Sequence, residues 1–197
     1  MSKGNETRRR IVTKAATLFN HHGYEGSSMA ELMEATGLEK GGIYRHFSSK
    51  EELAAAAFDY AWQEALNART HDLDSISNSV DRLKQFVANF VERRPSVPGG
   101  CPLLNTTIDA DDGNPVLRKR ARKALDGWLS DLSAIVNSGI KRREIRREVN
   151  PKTLAALIIA SLEGALMISR LERNDEALRA VQAHLESYLE SEVRLDS

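Results

Sequence analysis

Residues 28–53 constrain the fold of this chain more than any other segment. Ser28 is followed three residues later by Glu31, which is the spacing of a capping box at the start of a helix. Gly37 then supplies the left-handed backbone that a tight turn requires. Two short helices joined by a turn of this kind form a helix-turn-helix. The segment therefore predicts that motif, with its second helix from about Glu39 to Phe47.

The rest of the sequence shows helical spacing of apolar residues and no alternating strand pattern of useful length. A first helix is predicted from about Glu6 to His22, and a fourth from the capping box of Ser49 and Glu52 towards Arg69. The later helices are predicted to begin near Val80, Pro102, Asn114, residue 151 and residue 175. The predicted fold class is therefore all-α with about nine helices.

The charge of the chain is distributed unevenly. A chain of 197 residues suits one domain, or a small domain joined to a larger one, and its net charge is zero. The first 50 residues nevertheless carry eight Lys or Arg against five Glu, a net of +3, and the remainder carries −3. A basic N-terminal segment indicates, weakly, a polyanionic partner.

Several function classes find no support in the sequence. The single cysteine, Cys101, excludes an internal disulfide and a multi-thiolate metal site. The histidines lack metal-ligand spacing, and no nucleophile–base pair is visible, so we predict no metal, no cofactor and no catalysis. No apolar run approaches the roughly 20 residues of a membrane span, and no signal peptide is visible. We therefore expect a cytoplasmic protein.

The helix over residues 39–47 has the composition of a DNA-reading helix. Ile43 and Phe47 mark its buried side, so the opposite side is centred near Arg45. Two glycines inside a helix cost roughly 1 kcal/mol each relative to alanine, and a close approach of the backbone to DNA would account for them. An arginine can pair with guanine O6 and N7, and lysine, tyrosine and histidine suit phosphates. The alternative is a surface helix with a solvated charged face. The predicted DNA contacts are Ser27, Ser28, Lys40, Gly41, Gly42, Tyr44, Arg45, His46 and Lys50.

The segment from Gly23 to Leu53 resembles the N-terminal signature of the TetR family of transcriptional regulators. The shared features are Gly23-Tyr24, a serine pair, Gly37-Leu38, Lys40-Gly41, Ile43-Tyr44, His46-Phe47 and Ser49-Lys-Glu-Glu-Leu53. A weaker match, over residues 139–151, resembles the family's hinge between its long seventh helix and the eighth. Two positions depart from the pattern: Glu39 stands where Ser or Thr is commoner, and Gly42 stands where a larger residue often touches bases.

The resemblance implies a homodimeric repressor that binds a palindromic DNA operator and is released by a small-molecule inducer. It implies a DNA-binding domain over residues 1–50 and a ligand-binding and dimerisation domain over residues 51–197. Two other functions stay open. One is a helical adaptor that binds protein rather than DNA. The other is a redox or electrophile sensor that reacts through Cys101, although a small buried residue is the commoner role of such a cysteine.

The predicted helix over residues 151–171 is apolar nearly all round. Such a helix must be buried on every side, which indicates one face on its own domain and one on a partner, or else a central core helix. The resemblance favours a dimer through the last two helices. The residues predicted for dimerisation are Leu157, Ser161, Gly164, Ala165, Ile168, Leu185 and Tyr188.

A ligand cavity is predicted among the fourth to seventh helices. Large apolar residues there are candidates for its lining, although each is more often plain core. Few inward charges are evident, which favours an apolar or weakly polar ligand. The predicted ligand contacts are Trp62, Phe86, Phe90, Leu103, Leu104, Trp128 and Leu132.

Overall fold

The computed structural model describes residues 2–110 and 113–195, and this part of the chain is helical without strands, apart from an isolated bridge between Ile145 and Arg194. The all-α class with nine helices is confirmed. The helices are α1 (Lys3–His22), α2 (Met29–Thr36), α3 (Lys40–Tyr44), α4 (Lys50–Arg69), α5 (Ser79–Glu92), α6 (Pro102–Ala110), α7 (Pro115–Lys141), α8 (Pro151–Glu172) and α9 (Glu176–Tyr188).

Three helix ends differ from the sequence prediction. Helix α1 begins earlier than expected, because the side chain of Ser2 accepts a bond from the backbone N–H of Asn5. Helix α3 ends at Tyr44, three residues before Phe47. Helix α9 ends at Tyr188, and a π-helical turn continues it over Leu189–Val193.

The first of two compact units comprises Met1–Leu66 and Pro95–Ala124. It therefore holds α1, α2, α3, most of α4, all of α6 and the start of α7. The predicted domain boundary after residue 50 concerns function and stays a prediction, whereas the compact units divide α4 at Leu66. The core of the helix-turn-helix is formed by Ile11, Ala15, Leu32, Ile43, Phe47 and Leu53.

The second unit comprises Asn67–Arg94 and Leu125–Ser197. Within it, α9 packs against α5 and α8. The loop after α7 is part of the same packing: Arg142 Nη2 donates to Ser79 Oγ at 2.9 Å, and Ser79 N donates to Glu144 Oε2 at 2.8 Å. Arg142 and Glu144 of this loop thus hold the start of α5. The core of this unit includes Leu83, Phe86, Trp128, Ile158, Leu162 and Leu185.

Helix α8 has two different apolar sides. One side is buried in its own unit and includes Leu154, Ile158 and Leu162. By length and composition alone, α8 is long and apolar enough to cross a membrane. The expectation that no apolar segment approaches the length of a membrane span was therefore wrong. The core helix of a soluble protein meets the same criterion. The other side leaves apolar or small residues accessible at spacings of three and four: Leu157, Ala160, Gly164, Met167, Ile168 and Leu171.

Candidate nucleic-acid interface

The start of the motif is fixed by local hydrogen bonds. Ser28 N donates to Glu31 Oε2 at 2.7 Å, and Glu31 N donates to Ser28 Oγ at 3.2 Å, so the predicted capping box is confirmed. Gly37 adopts φ 66° and ψ 27°, the predicted left-handed turn, and its N–H donates to Met33 O at 2.9 Å. The turn between α2 and α3 therefore follows from sequence-local chemistry.

Helix α3 is fixed from one side only. Ile43 and the nearby Phe47 are almost fully buried in the core of the motif. Lys40 at the start of the helix, Tyr44 at its end and Arg45 directly after it are exposed. This is the arrangement that the sequence predicted for a helix lying against DNA.

The two glycines of α3 are not required by the protein's own packing. A Cβ built on Gly41 meets no atom within 4 Å, and one on Gly42 meets only Leu38, at an ordinary contact distance of 3.5 Å. Glu39, which precedes the helix, makes no side-chain capping bond. Helix α3 therefore presents bare backbone without any internal steric reason for it.

The start of α4 is capped by two serines instead of one. Glu52 N donates to Ser49 Oγ at 3.0 Å, as predicted, but the Glu52 carboxylate accepts from Ser48 N at 2.7 Å. The hydrogen bonds from Ser48 lower the pKa of Glu52 below its usual range. Those from Ser28, from its backbone above all, lower the pKa of Glu31.

Two predicted DNA contacts are engaged inside the protein. Ser27 is buried, and its hydroxyl donates to Gly23 O at 2.7 Å, so its side chain is not presented to DNA. Lys50 Nζ donates to Tyr24 O at 2.6 Å and lies 4.3 Å from the centroid of the Tyr24 ring. Lys50 therefore holds the loop after α1, a role different from the predicted DNA contact.

An exposed cation outside the predicted set lies next to the motif. The Arg8 guanidinium of α1 is 4.7 Å from the centroid of the Phe47 ring. The run of three arginines from Arg8 to Arg10 is the sequence signal for this cation.

The predicted ligand residues are divided between the two units. In the second unit, Trp128 lies 6.1 Å from Phe86 and 6.4 Å from Phe90, measured between ring centroids. The Arg69 guanidinium contacts the rings of Phe90 and Trp128 at 4.6 and 4.4 Å, and its Nη2 is 3.3 Å from the Glu163 carboxylate. Both charged side chains are largely buried, so the expectation of few inward charges was wrong.

The other predicted ligand residues are mostly buried. Leu132 is buried in the second unit. In the first unit, Trp62 and Leu103 are buried and Leu104 is half-buried.

The predicted dimerisation residues fall into two groups. Leu157, Ile168 and Tyr188 are exposed, and Ser161 and Gly164 are half-buried. Ala165 and Leu185 are buried within their own unit, in which α9 packs against α8 and α5. Neither is available to a partner. Two exposed residues of α8 that the sequence analysis omitted, Met167 and Leu171, extend the accessible apolar side.

Cys101 is 2 % exposed. A thiol so deeply buried does not meet oxidants or electrophiles directly, which favours the structural role over the sensing role. Among the described residues, no three His, Cys, Asp or Glu side chains are grouped so as to hold a metal ion.

Comparisons with known proteins agree with this geometry. Residues 11–57 match the family model described as bacterial regulatory proteins of the tetR family, and residues 79–185 match that of the tetracyclin repressor-like C-terminal domain. A TetR transcriptional regulator from Chloroflexus aurantiacus is 47 % identical, with a TM-score of 0.95 and 100 % of both chains covered. One from Cytophaga hutchinsonii is 35 % identical, with a TM-score of 0.91 over 100 % of this chain and 99 % of that one. The repressor DhaR of a Mycobacterium species is 27 % identical over 87 % of this chain and 86 % of its own length. The chain therefore belongs to the TetR family of transcriptional regulators.

Proposed function

We propose that this protein is a repressor that binds a palindromic operator as a homodimer and is released by a small molecule. The observation that carries the proposal is the exposed side of α3, where Tyr44 and Arg45 stand beside the bare backbone of Gly41 and Gly42. DhaR is a repressor, which supports repression rather than activation of transcription as the role of this protein.

Each exposed group on α3 suits one part of a DNA duplex. Arg45 can form a bidentate pair with a guanine edge in the major groove. Tyr44 and Lys40 suit the phosphates on either side, and Arg8 of α1 adds a cation near the same helix. The backbone of Gly41, with no side chain above it, allows the closest approach to the groove wall.

A palindromic operator requires two copies of α3, and the accessible apolar side of α8 is the proposed dimer contact. Leu157, Ile168 and Leu171 occur at helical spacing on a side that is not buried in its own unit. Tyr188 of α9 is exposed as well. Two reading helices held by such a contact would enter successive major grooves about 34–36 Å apart. A soluble cytoplasmic protein follows from this role.

The inducer is proposed to bind in the second unit, near Trp128. The Arg69–Glu163 pair places two charged side chains in this region. A ligand could bind either of them in place of its present partner. A small molecule releases DNA only through a difference in its affinity for the two states of the protein. The inducer must therefore bind better to the conformation that does not fit the operator.

Random-site selection with the purified protein tests the DNA assignment. We expect enrichment of an inverted repeat, with affinity that falls steeply as salt increases. Tyr44→Ala should weaken binding to all sites, whereas Arg45→Ala should cost about 1–3 kcal/mol and relax specificity at one base position. Arg118→Ala, an exposed arginine of α7, is the matched control and should leave the selected sequence unchanged.

Two outcomes would contradict the proposal. The absence of any enriched sequence would favour a helical adaptor that binds protein. Normal operator affinity in both Tyr44→Ala and Arg45→Ala would show that this side of α3 does not read DNA.

A further inference from the structure

The start of helix α7 carries a dense group of exposed cations outside the set of proposed DNA contacts. Residues 115–124, the part of α7 that belongs to the first unit, contain five Lys or Arg and no Asp or Glu. A surface with charges of one sign attracts a partner of the opposite sign. This α7 basic cluster consists of Arg118, Lys119, Arg120, Arg122 and Lys123, all of them exposed.

Two buried residues fix the side of α7 that the cluster occupies. Leu117 and Ala121, four residues apart, are both almost fully buried. Leu117 packs in one apolar cluster with Ala54 and Ala55 of α4. At 100° per residue, the cations therefore cover the part of the helix surface that is turned away from α4 and towards solvent.

Most of this charge is not neutralised by the protein. Arg120 Nη1 forms an ion pair with Asp59 Oδ2 of α4, which anchors one side of the cluster. Arg118, Lys119 and Lys123 form no ion pair within the described part of the chain, and their side chains lie in solvent. Three positive charges per protomer are therefore available to a polyanion.

Helices α7 and α4 begin side by side. The side chain of Asn114 caps α7, because its Oδ1 accepts from two backbone N–H groups of the first turn at 2.9 Å. Its Nδ2 donates to Glu51 Oε1 in the first turn of α4 at 2.6 Å. The Arg120–Asp59 pair joins the same two helices six and eight residues further on, so the helices run in the same direction.

The start of α4 adjoins the DNA-binding motif. Helix α4 begins at Lys50, five residues after Arg45, and Leu53 in its first turn lies in the core of the motif. Six residues of chain span at most about 22 Å, so Glu51 lies within this distance of Arg45. The same distance corresponds to about six base pairs along a duplex. The cluster therefore begins close to the DNA that α3 is proposed to read.

Hydrogen bonds tie the helix before α7 to α1. Asn105 Nδ2 of α6 donates to Asn20 O at 2.9 Å and to Asn20 Oδ1 at 3.0 Å, and Asn20 Nδ2 donates to Pro98 O at 2.8 Å. Asp109 Oδ2, near the end of α6, accepts from Tyr24 N at 2.7 Å. Helices α1, α3, α6 and the start of α7 thus belong to one compact unit, which presents the cluster and α3 together.

We infer that the α7 basic cluster binds the phosphate backbone of double-stranded DNA next to the base pairs that α3 reads. Lysine and arginine side chains that contact phosphates add affinity but read no bases. The inference rests on the proposed function, because its partner is the DNA that flanks the operator. Removal of these cations should lower the affinity and its salt dependence and leave the selected sequence unchanged.

Band-shift titrations of the full-length protein with two duplexes test the inference. One is the shortest duplex that retains operator binding, and the other extends it at each end by about ten base pairs of arbitrary sequence, roughly one helical turn. We expect the extended duplex to bind at least about tenfold more tightly at low salt. Its affinity should also fall more steeply with salt, by about 0.9 in the logarithmic slope for each added phosphate contact.

A triple variant locates the effect. Arg118→Gln, Lys119→Gln and Lys123→Gln together remove three charges, and glutamine has a helix propensity similar to that of lysine and arginine. The variant should lose the gain from the longer duplex, and its salt slope there should decrease by up to about five for the two protomers. Its affinity for the shortest duplex should stay the same.

A second triple variant removes the same charge from the second unit. Lys141→Gln, Arg147→Gln and Lys152→Gln replace exposed cations there. This variant should keep the full gain from the longer duplex, because the proposed contact depends on the position of the charges and not on the net charge of the protein.

Equal affinity of the unmodified protein for the two duplexes would overturn the inference and leave the proposed repressor standing. A gain that the α7 variant retains, or that the second variant also loses, would overturn it as well. If selection finds no operator, the proposed function fails, and the three proteins are titrated with a duplex of random sequence. A lower salt slope in the α7 variant alone would then support the inference, and equal slopes in all three would overturn it.

Discussion

Helices α3 and α8 present two opposite kinds of accessible surface. Helix α3 spans five residues, lacks a side-chain cap and exposes polar groups beside bare backbone. Helix α8 spans 22 residues, begins at the Asn150 cap and leaves an apolar side accessible. Water solvates the polar side of α3 well, so its exposure costs little free energy. Covering the apolar side of α8 lowers the free energy, because it removes apolar surface from water.

The difference teaches which surface is suited to a reversible contact and which to a lasting one. Contacts with a polyanion rest on charges and are screened by salt. Contacts between apolar surfaces are not screened, and they grow with the area removed from water. The proposed repressor, which would leave its operator as an intact dimer, needs one surface of each kind.

The largest expected effect comes from a charge on the apolar side of α8. Leu157→Glu would place an unpaired carboxylate in the proposed dimer contact, which costs several kcal/mol when buried. We expect a monomer by analytical ultracentrifugation and an operator affinity at least about 100-fold lower, because the second half-site contact is lost. Arg170→Glu, an exposed position of α8 outside this side, is the control. A Leu157→Glu protein that stays dimeric would remove α8 from the interface.

Smaller effects, opposite for stability and for operator affinity, are expected at Gly41 of α3. Gly41→Ala should raise the stability by up to about 1 kcal/mol, because alanine favours helix and no atom obstructs its Cβ. It should also weaken operator binding by about tenfold, since the methyl group would occupy the space that the DNA approaches.

Gly127→Ala provides the matched control for this substitution. Gly127 is an exposed helical glycine of α7 whose added Cβ also meets no atom within 4 Å. We expect the same gain in thermal stability and no change in a band-shift titration. Unaltered operator affinity in Gly41→Ala would mean that DNA does not approach this backbone.

The smallest expected effect concerns acid stability of the DNA-binding motif. The pKa values of Glu31 and Glu52 are lowered in the folded state, from an ordinary value of 4.5. Their stabilising contribution is therefore present above pH 4.5 and is lost as the pH falls through the lower folded values. Glu31→Gln should flatten the decline in thermal midpoint below that pH, whereas Glu34→Gln, an exposed glutamate of α2 that caps no N–H, should not. Parallel curves for the two variants would contradict this account.

The sequence predicted those parts of the site that depend on neighbouring residues. The cap at Ser28, the turn at Gly37 and the two sides of α3 all follow from spacings of a few residues. The engagement of Lys50 depends on a loop 26 residues earlier, so no local pattern could reveal it.

Longer separations hid the remaining features. The bond between Tyr24 and Asp109 joins residues 85 apart, and the Arg69–Glu163 pair joins residues 94 apart. Periodicity places an apolar residue on a face of a helix, but it does not say which distant polar group will meet it there. The charge near Trp128 was missed for this reason.

The hydrogen bond between the side-chain amides of Asn105 in α6 and Asn20 in α1 has a consequence for how the protein leaves DNA. Asn20 and Asn105 are bonded to each other and to backbone carbonyls, and none of these groups titrates or carries a net charge. Their bonds are therefore indifferent to ionic strength and to ordinary changes of pH. A salt concentration that releases the protein from DNA therefore leaves these hydrogen bonds intact. The released protein keeps α1 and α6 packed together and can bind again without refolding.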